Sequence, residues 1–167
     1  MSIPTKVEGF SLRQAREADT GLVLEFINRL AEYEKLSHEV VATRETLKKY
    51  LFGEKKVAEV VLGYYKEKPV GFALYFFNFS TFLAKPGIYL EDLFVLDEYR
   101  GMGFGKVLLT YLAKLARDKE CGRVEWAVLD WNKPSIDFYK TLGAIPMTEW
   151  IVNRLTGEAL HELADQF

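Results

Sequence analysis

Arg100-Gly101-Met102-Gly103-Phe104-Gly105-Lys106 is the stretch that most restricts what this chain can fold into. Upstream of it, Ile88 to Val95 is apolar on both faces apart from Glu91 and Asp92, the pattern of a buried strand. Downstream, Val107, Leu108, Tyr111, Leu112 and Leu115 recur at helical spacing, which predicts a helix over Gly103 to Lys119. Alternating glycines at such a strand-to-helix turn remove side chains where a backbone can approach a ligand closely. The first turn of the helix offers N–H groups and the positive end of its dipole, and Arg100 and Lys106 add charge. The spacing therefore predicts a diphosphate site. A dinucleotide fingerprint fails in both frames, because Lys106 or Leu108 stands where its last glycine belongs. A P-loop fails as well, since Arg100 replaces its first glycine and Val107 replaces the hydroxyl that would hold magnesium. The bland alternative is a glycine-rich turn with no ligand.

The rest of the chain supplies a sheet and helices around that turn. Phe10 to Ala15 reads as a strand, and Asp19 can cap a helix from Thr20 to Glu34 with Val23, Phe26, Ile27 and Leu30 on one side. Thr43 can cap a short helix through Leu47 and Leu51. Val57 to Tyr65 and Val70 to Phe79 read as strands joined by the polar turn Lys66 to Pro69. Val124 to Leu129 is a strand, Pro134 to Leu142 a helix with proline in its first turn, Trp150 to Leu155 a last strand, and Gly157 to Gln166 a closing helix. This order, β-α-α-β-β-β-α-β-α-β-α, predicts an α/β (α+β) fold. Its central sheet is mixed and mostly antiparallel, with helices on both faces, in a single domain over 1–167. Ligands of such sheets sit at the carboxyl ends of strands.

Composition narrows the function classes. With 22 basic and 24 acidic residues the net charge is -2, too weak a field to hold a nucleic-acid backbone or an anionic membrane. The apolar run Val70 to Phe77 is too short to span a bilayer. Cys121 is the only cysteine, and with only His38 and His161 beside it no metal cluster is expected. Met1 to Lys6 lacks the apolar core of a signal peptide, so a reducing, cytoplasmic setting is expected.

Arg100-x-x-Gly103-x-Gly105 resembles the acetyl-CoA loop of the GCN5-related N-acetyltransferase (GNAT) superfamily. One helix and one strand later, Asp130-Trp131-Asn132-x-Pro134-Ser135-Ile136-x-Phe138-Tyr139 resembles its second cofactor segment. Glu32 to Ser37, Tyr89-Leu90-Glu91-Asp92 and Ala127 to Asn132 are similar to the diamine acetyltransferase subfamily, over nearly the whole chain. Where polyamine-specific members carry an aspartate shortly before Y-L-E-D, this chain has Ser80, which resembles the thialysine-type branch. The resemblance implies a GNAT-type fold and acetyl transfer from acetyl-CoA, with no metal, to a primary amine of a small molecule, thialysine- or lysine-like or a di- or polyamine. It also implies a homodimer with the amine site near the subunit interface. A protein amine as acceptor, or a non-catalytic acyl-CoA sensor, are the competing classes. A pure binder would need neither Glu91 nor Tyr139.

Roles follow from the resemblance position by position. Leu93, Phe94 and Val95 offer backbone groups to the pantetheine arm, as to an added strand, and can polarise the thioester carbonyl. Arg100, Gly101, Met102, Gly103, Phe104, Gly105 and Lys106 hold the diphosphate. Asn132, Lys133, Pro134 and Ser135 contact the cofactor, with helix capping the plain alternative for Asn132. Tyr139 matches the family's general acid. A phenol with a reference pKa of about 10 is protonated at pH 7 and can donate to the leaving thiolate. Its alternative is a core aromatic beside Ile136, Phe138 and Leu142.

Glu91 matches the residue that removes the amine's proton through water. Carboxylates in an apolar strand are costly unless paired or wet, and strand alternation predicts that Glu91 shares a face with Tyr89, Leu93 and Val95 while Asp92 supports local structure. An ion pair is the alternative for Glu91. Tyr33, Glu34, Glu125, Trp126 and Ala127 match positions that reach the amine, with a solvated helix end the alternative for the first two. His38 and His161 match no catalytic position.

Overall fold

A computed structural model describes residues 1–167. The chain divides into two compact units, Met1–Ala127 and Val128–Phe167. In the first, β1 (Ile3–Pro4), β2 (Phe10–Gln14), β3 (Glu59–Tyr65), β4 (Lys68–Ser80), β5 (Lys85–Val95) and β6 (Val124–Trp126) form one sheet in that order. Helices α1 (Thr20–Tyr33) and α2 (Arg44–Leu51) connect β2 to β3, and α3 (Phe104–Asp118) connects β5 to β6. Every neighbouring pair is antiparallel except β5–β6, which is parallel as the helical crossover requires. The expected mixed, mostly antiparallel sheet is present.

Both faces of the sheet are covered. On one, Val23 and Phe26 of α1 and Leu51 of α2 pack with Val60, Leu62, Phe72, Leu74 and Phe94. On the other, Phe104 of α3 stacks on Phe10 of β2 with ring centroids 4.1 Å apart. There the Gln14 amide donates to the hydroxyls of Tyr75 on β4 and Tyr111 on α3. Strand alternation sorts neighbours such as Leu74 and Tyr75 onto these two faces. The β3–β4 hairpin turns on Lys66 and Glu67, both at positive φ (47° and 68°), the twist a two-residue hairpin loop requires.

Two capping expectations part company. Thr43 caps α2, its hydroxyl accepting from the Thr46 N–H. Asp19 precedes α1 but makes no side-chain cap. Its carboxylate instead receives a forked pair of bonds from Arg13 of β2, at 2.8 and 2.9 Å, a stronger arrangement than a single N–H bond. That guanidinium holds the Asp19 carboxyl below its ordinary range.

The second unit contains α4 (Lys133–Thr141) and α5 (Gly157–Ala164). Asn132 caps α4 by accepting from the Ser135 N–H, and Pro134 lies in its first turn. The expected strand Trp150 to Leu155 is not formed, and its apolar residues Trp150, Ile151 and Val152 are exposed. A strand persists only where a neighbouring edge completes its ladder, and no strand of the chain pairs with this segment. β6 is also shorter than expected and ends before Ala127. No helix is long and apolar enough to cross a membrane.

Candidate active site

The site is organised by an irregularity in β5. Opposite β4, Leu93 pairs with Ala73 and Asp92 with Leu74, but the next pair is Leu90 with Tyr75. Glu91 therefore has no partner on β4 and forms a β-bulge, which locally breaks the strand's alternation. Cross-strand partners share a face. Leu90 accordingly lies on the α3 side with Tyr75, and Asp92 on the α1 side with Leu74. The expected shared face of Tyr89, Glu91 and Leu93 does not exist: Tyr89 pairs with Phe76, one residue past the bulge, and so falls on the same side as Asp92. Nothing in the alternation of the sequence marks an extra residue, so this was not legible from the pattern.

The bulge assigns the two acids different surroundings. Glu91 is exposed, whereas Asp92 is half-buried, and desolvation together with the charges of Glu91 and Glu34 pushes its carboxyl up to about 6. Glu34, at the end of α1, is itself raised by burial. The phenol of Tyr89 is raised by burial and by the charges of Glu91 and Glu125. This side of the sheet thus gathers Glu34, Asp92 and Tyr89 beside the exposed Glu91, an environment that attracts an ammonium group and contains an acceptor tuned near neutral pH. Glu125 is ion-paired, its carboxylate 2.7 Å from Arg123 Nε and accepting from the Asn78 amide. Trp126 is half-buried beside it, and Ala127 lies just beyond β6. Ser80 is buried and its hydroxyl accepts from the Leu83 N–H, closing the β4–β5 turn.

The raised Asp92 carboxyl has a consequence for stability. Below about pH 4 it is neutral in both folded and unfolded chains and costs nothing. As pH rises from about 4 to about 6 the unfolded chain loses this proton and the folded chain keeps it, so stability falls and then stays level above about 6. The difference between an ordinary aspartate carboxyl and one at about 6 corresponds to roughly 3 kcal/mol at most. Asp92→Asn should therefore raise the melting temperature at pH 7 by up to roughly 10 °C and leave it nearly unchanged at pH 4. Equal gains at both pH values would show that burial of a charge is not the cause.

β5 also leads into the glycine loop. β6 pairs only with Ile88 to Leu90, so the edge of β5 over Leu93, Phe94 and Val95 has no strand on that side and can receive an extended chain. Beyond it, Gly101 and Gly103 have φ of 78° and 84°, and a side chain built on either would meet nothing within 4 Å. Gly103 is the N-cap of α3 and no side chain caps the helix, so the N–H groups of Phe104, Gly105 and Lys106 lack intrahelical acceptors. Arg100 lies at the mouth of this turn. An open cradle with convergent N–H donors and a guanidinium fits the diphosphate of a coenzyme A thioester. Phe104 offers this turn its backbone N–H alone, because its ring is in the core.

In the second unit, the other motif leads into α4, with Asn132 as its N-cap and Lys133 to Tyr139 on the helix. Lys133 is paired with Asp137 at 2.6 Å, and Asn132 and Ser135 are joined by the helix cap. Tyr139 is half-buried, its ring centroid 5.5 Å from that of Phe138.

The Acetyltransferase (GNAT) family model matches residues 25–144, a span that takes in the bulge, the glycine loop and α4. The chain belongs to the GNAT acetyltransferase family. It is 43% identical over 164 residues to thialysine N-epsilon-acetyltransferase of Sus scrofa, covering 92% of this chain and 96% of that one. It is 33% identical to L-ornithine N5-acetyltransferase NATA1 of Arabidopsis thaliana, covering 96% and 90%. The solved structure of an integron cassette protein from the mobile metagenome of V. cholerae superposes with a TM-score of 0.78 at 28% identity, over 93% of this chain and 98% of that one. This GNAT protein is an acyltransferase that moves an acetyl group to an amine, and acetyl-CoA is the co-substrate of its family.

Proposed function

We propose that this acetyltransferase acts on the side-chain amine of a small, lysine-like molecule such as thialysine, in a ternary complex with acetyl-CoA, as one catalytic domain over 1–167. The observation that carries this reading is the continuity of β5. One strand presents the bulged Glu91 beside half-buried Asp92 and then runs into an open anion cradle. Acetyl-CoA would supply the activated acetyl thioester, held by Arg100 to Lys106, the Leu93–Val95 edge and the segment Asn132 to Ser135.

A lysine-type ammonium has a reference pKa of about 10.4 and must lose its proton before attack. Glu91, solvent-exposed in the bulge, receives that proton through water, and the surrounding acids first bind the cation. Tyr33 and Glu34 border the amine side with Glu125, Trp126 and Ala127. The Tyr139 hydroxyl donates a proton to the departing sulfur. Thialysine's sulfur withdraws electrons from its amine and lowers its pKa, which raises the neutral fraction. Ser80, occupied by the hairpin turn, leaves a long polycation without the carboxylate that the polyamine-specific pattern provides there.

A homodimer belongs to the same proposal. Ile145, Trp150, Ile151 and Val152 are 71–84% exposed, apolar surface of the kind a second copy covers. A cytoplasmic setting suits a chain with one cysteine. Thiol release from acetyl-CoA should be measured with thialysine, lysine, ornithine, spermidine, spermine and short diamines. Thialysine and the amino acids are expected to exceed spermine. Release with peptides alone would overturn the small-molecule assignment, and binding of acetyl-CoA without release for any amine would overturn the catalytic one.

A further inference from the structure

Tyr33 closes α1 on the amine side of the fold, yet its ring reaches the cofactor loop. The Arg100 guanidinium carbon lies 4.3 Å from the centroid of the Tyr33 ring and 5.5 Å from that of Phe94. Both distances are within the range over which an aromatic face attracts a cation. Arg100 Nε donates to the Val95 carbonyl at 3.1 Å, and Nη2 pairs with Asp97 at 2.8 Å. A guanidinium carries five N–H donors in a fixed plane. The Val95 and Asp97 contacts engage one edge of that plane, which leaves the Nη1 donors directed elsewhere. The side chain remains 37% exposed, so an incoming anion can reach them.

We propose that Tyr33 is a positioning residue for the acetyl-CoA loop: its ring holds the Arg100 guanidinium in the orientation that receives the diphosphate, which ties α1 to cofactor affinity. This rests on the functional reading above and adds a role to a residue assigned there to the amine. An arginine free to turn must be ordered when the anion arrives, at a cost in rotamer freedom. One already held against an aromatic face and a backbone carbonyl needs little further ordering, and the difference appears as affinity. The hydroxyl of Tyr33 is not needed for this role, because the ring face does the holding.

Calorimetric titration with acetyl-CoA and with S-acetylpantetheine, which lacks the diphosphate, separates the possibilities. Tyr33→Leu should weaken acetyl-CoA binding roughly 3- to 30-fold, the range of a cation–π contact. Tyr33→Phe should stay within about two-fold of the unmodified chain, since it keeps the ring. Binding of S-acetylpantetheine should be unaffected in both. In an Arg100→Ala background Tyr33→Leu should cost nothing further, because its effect passes through the guanidinium. If Tyr33→Leu does not fold by circular dichroism, Tyr33→Met serves the same comparison. Additive losses in the double variant, a loss in Tyr33→Phe equal to that in Tyr33→Leu, or an equal loss for S-acetylpantetheine would each overturn the inference while leaving the enzyme assignment intact. An unmodified chain that binds no acetyl-CoA would overturn the functional reading, and this inference with it.

Discussion

Replacing Tyr139 by phenylalanine is expected to lower turnover by roughly 10²-fold, within the 10²–10⁴-fold range of general acid–base catalysis, while acetyl-CoA affinity stays nearly unchanged. The substitution keeps the ring and removes one oxygen, so the 5.5 Å contact with Phe138 survives. The backbone role of residue 139 also survives: its carbonyl accepts the N–H groups of Leu142 and Ala144 and finishes the helix. The chemistry sets the size. A phenol is ordinarily a weaker acid than a thiol, so donation from a phenol hydroxyl to the leaving sulfur is uphill. A thiolate is already a competent leaving group at neutral pH, which places the loss near the lower end of the range. The measurement is kcat at saturating acetyl-CoA and amine, together with the cofactor affinity. Unchanged kcat would remove the general-acid assignment and return Tyr139 to packing.

Periodicity carried the fold well wherever one physical rule decided it. The apolar spacing of α1 and α3, the Thr43 cap, the Pro134 helix start and the parallel β5–β6 pair all follow from local chemistry or from the length of a crossover. What escaped depends on partners distant in the chain. Asp19 has cap chemistry, but Arg13 offers its carboxylate a better bond. Trp150 to Leu155 has strand composition but no ladder to join. The bulge at Glu91 arises because β4 and β5 fall out of step by one residue, and no residue type announces that. It matters most for the site, since it gives the neighbouring acids different surroundings: Glu91 is exposed and Asp92 carries the raised pKa. The glycine loop was legible because the positive φ of Gly101 and Gly103 favours glycine at fixed positions beside a helix start. The Tyr33–Arg100 contact was not, because it joins residues far apart in sequence.

Gly103→Val tests the cradle itself, and the expected result is a loss of acetyl-CoA affinity of roughly 100-fold or more in a chain that still folds. Gly103 has φ of 84° and ψ of 1°, a left-handed conformation that a β-branched residue adopts only under strain. The added side chain would meet no protein atom at Cβ, so the core is not disturbed and the cost to folding is about 1–3 kcal/mol. The cradle answers this strain in one of two ways. If the turn keeps its conformation, the isopropyl group occupies the space the diphosphate needs. If it relaxes, the N–H groups of Phe104, Gly105 and Lys106 no longer converge. Either outcome removes at least two hydrogen bonds to a charged acceptor, each about 1.5–3 kcal/mol, which together exceed the two decades predicted. Gly103→Ala imposes a milder version of the same strain and should fall between the two. Calorimetry beside a thermal melt distinguishes a damaged site from a damaged fold. A folded Gly103→Val chain that binds acetyl-CoA normally would mean that the diphosphate lies elsewhere, and the alignment of β5, loop and α3 would then need another explanation.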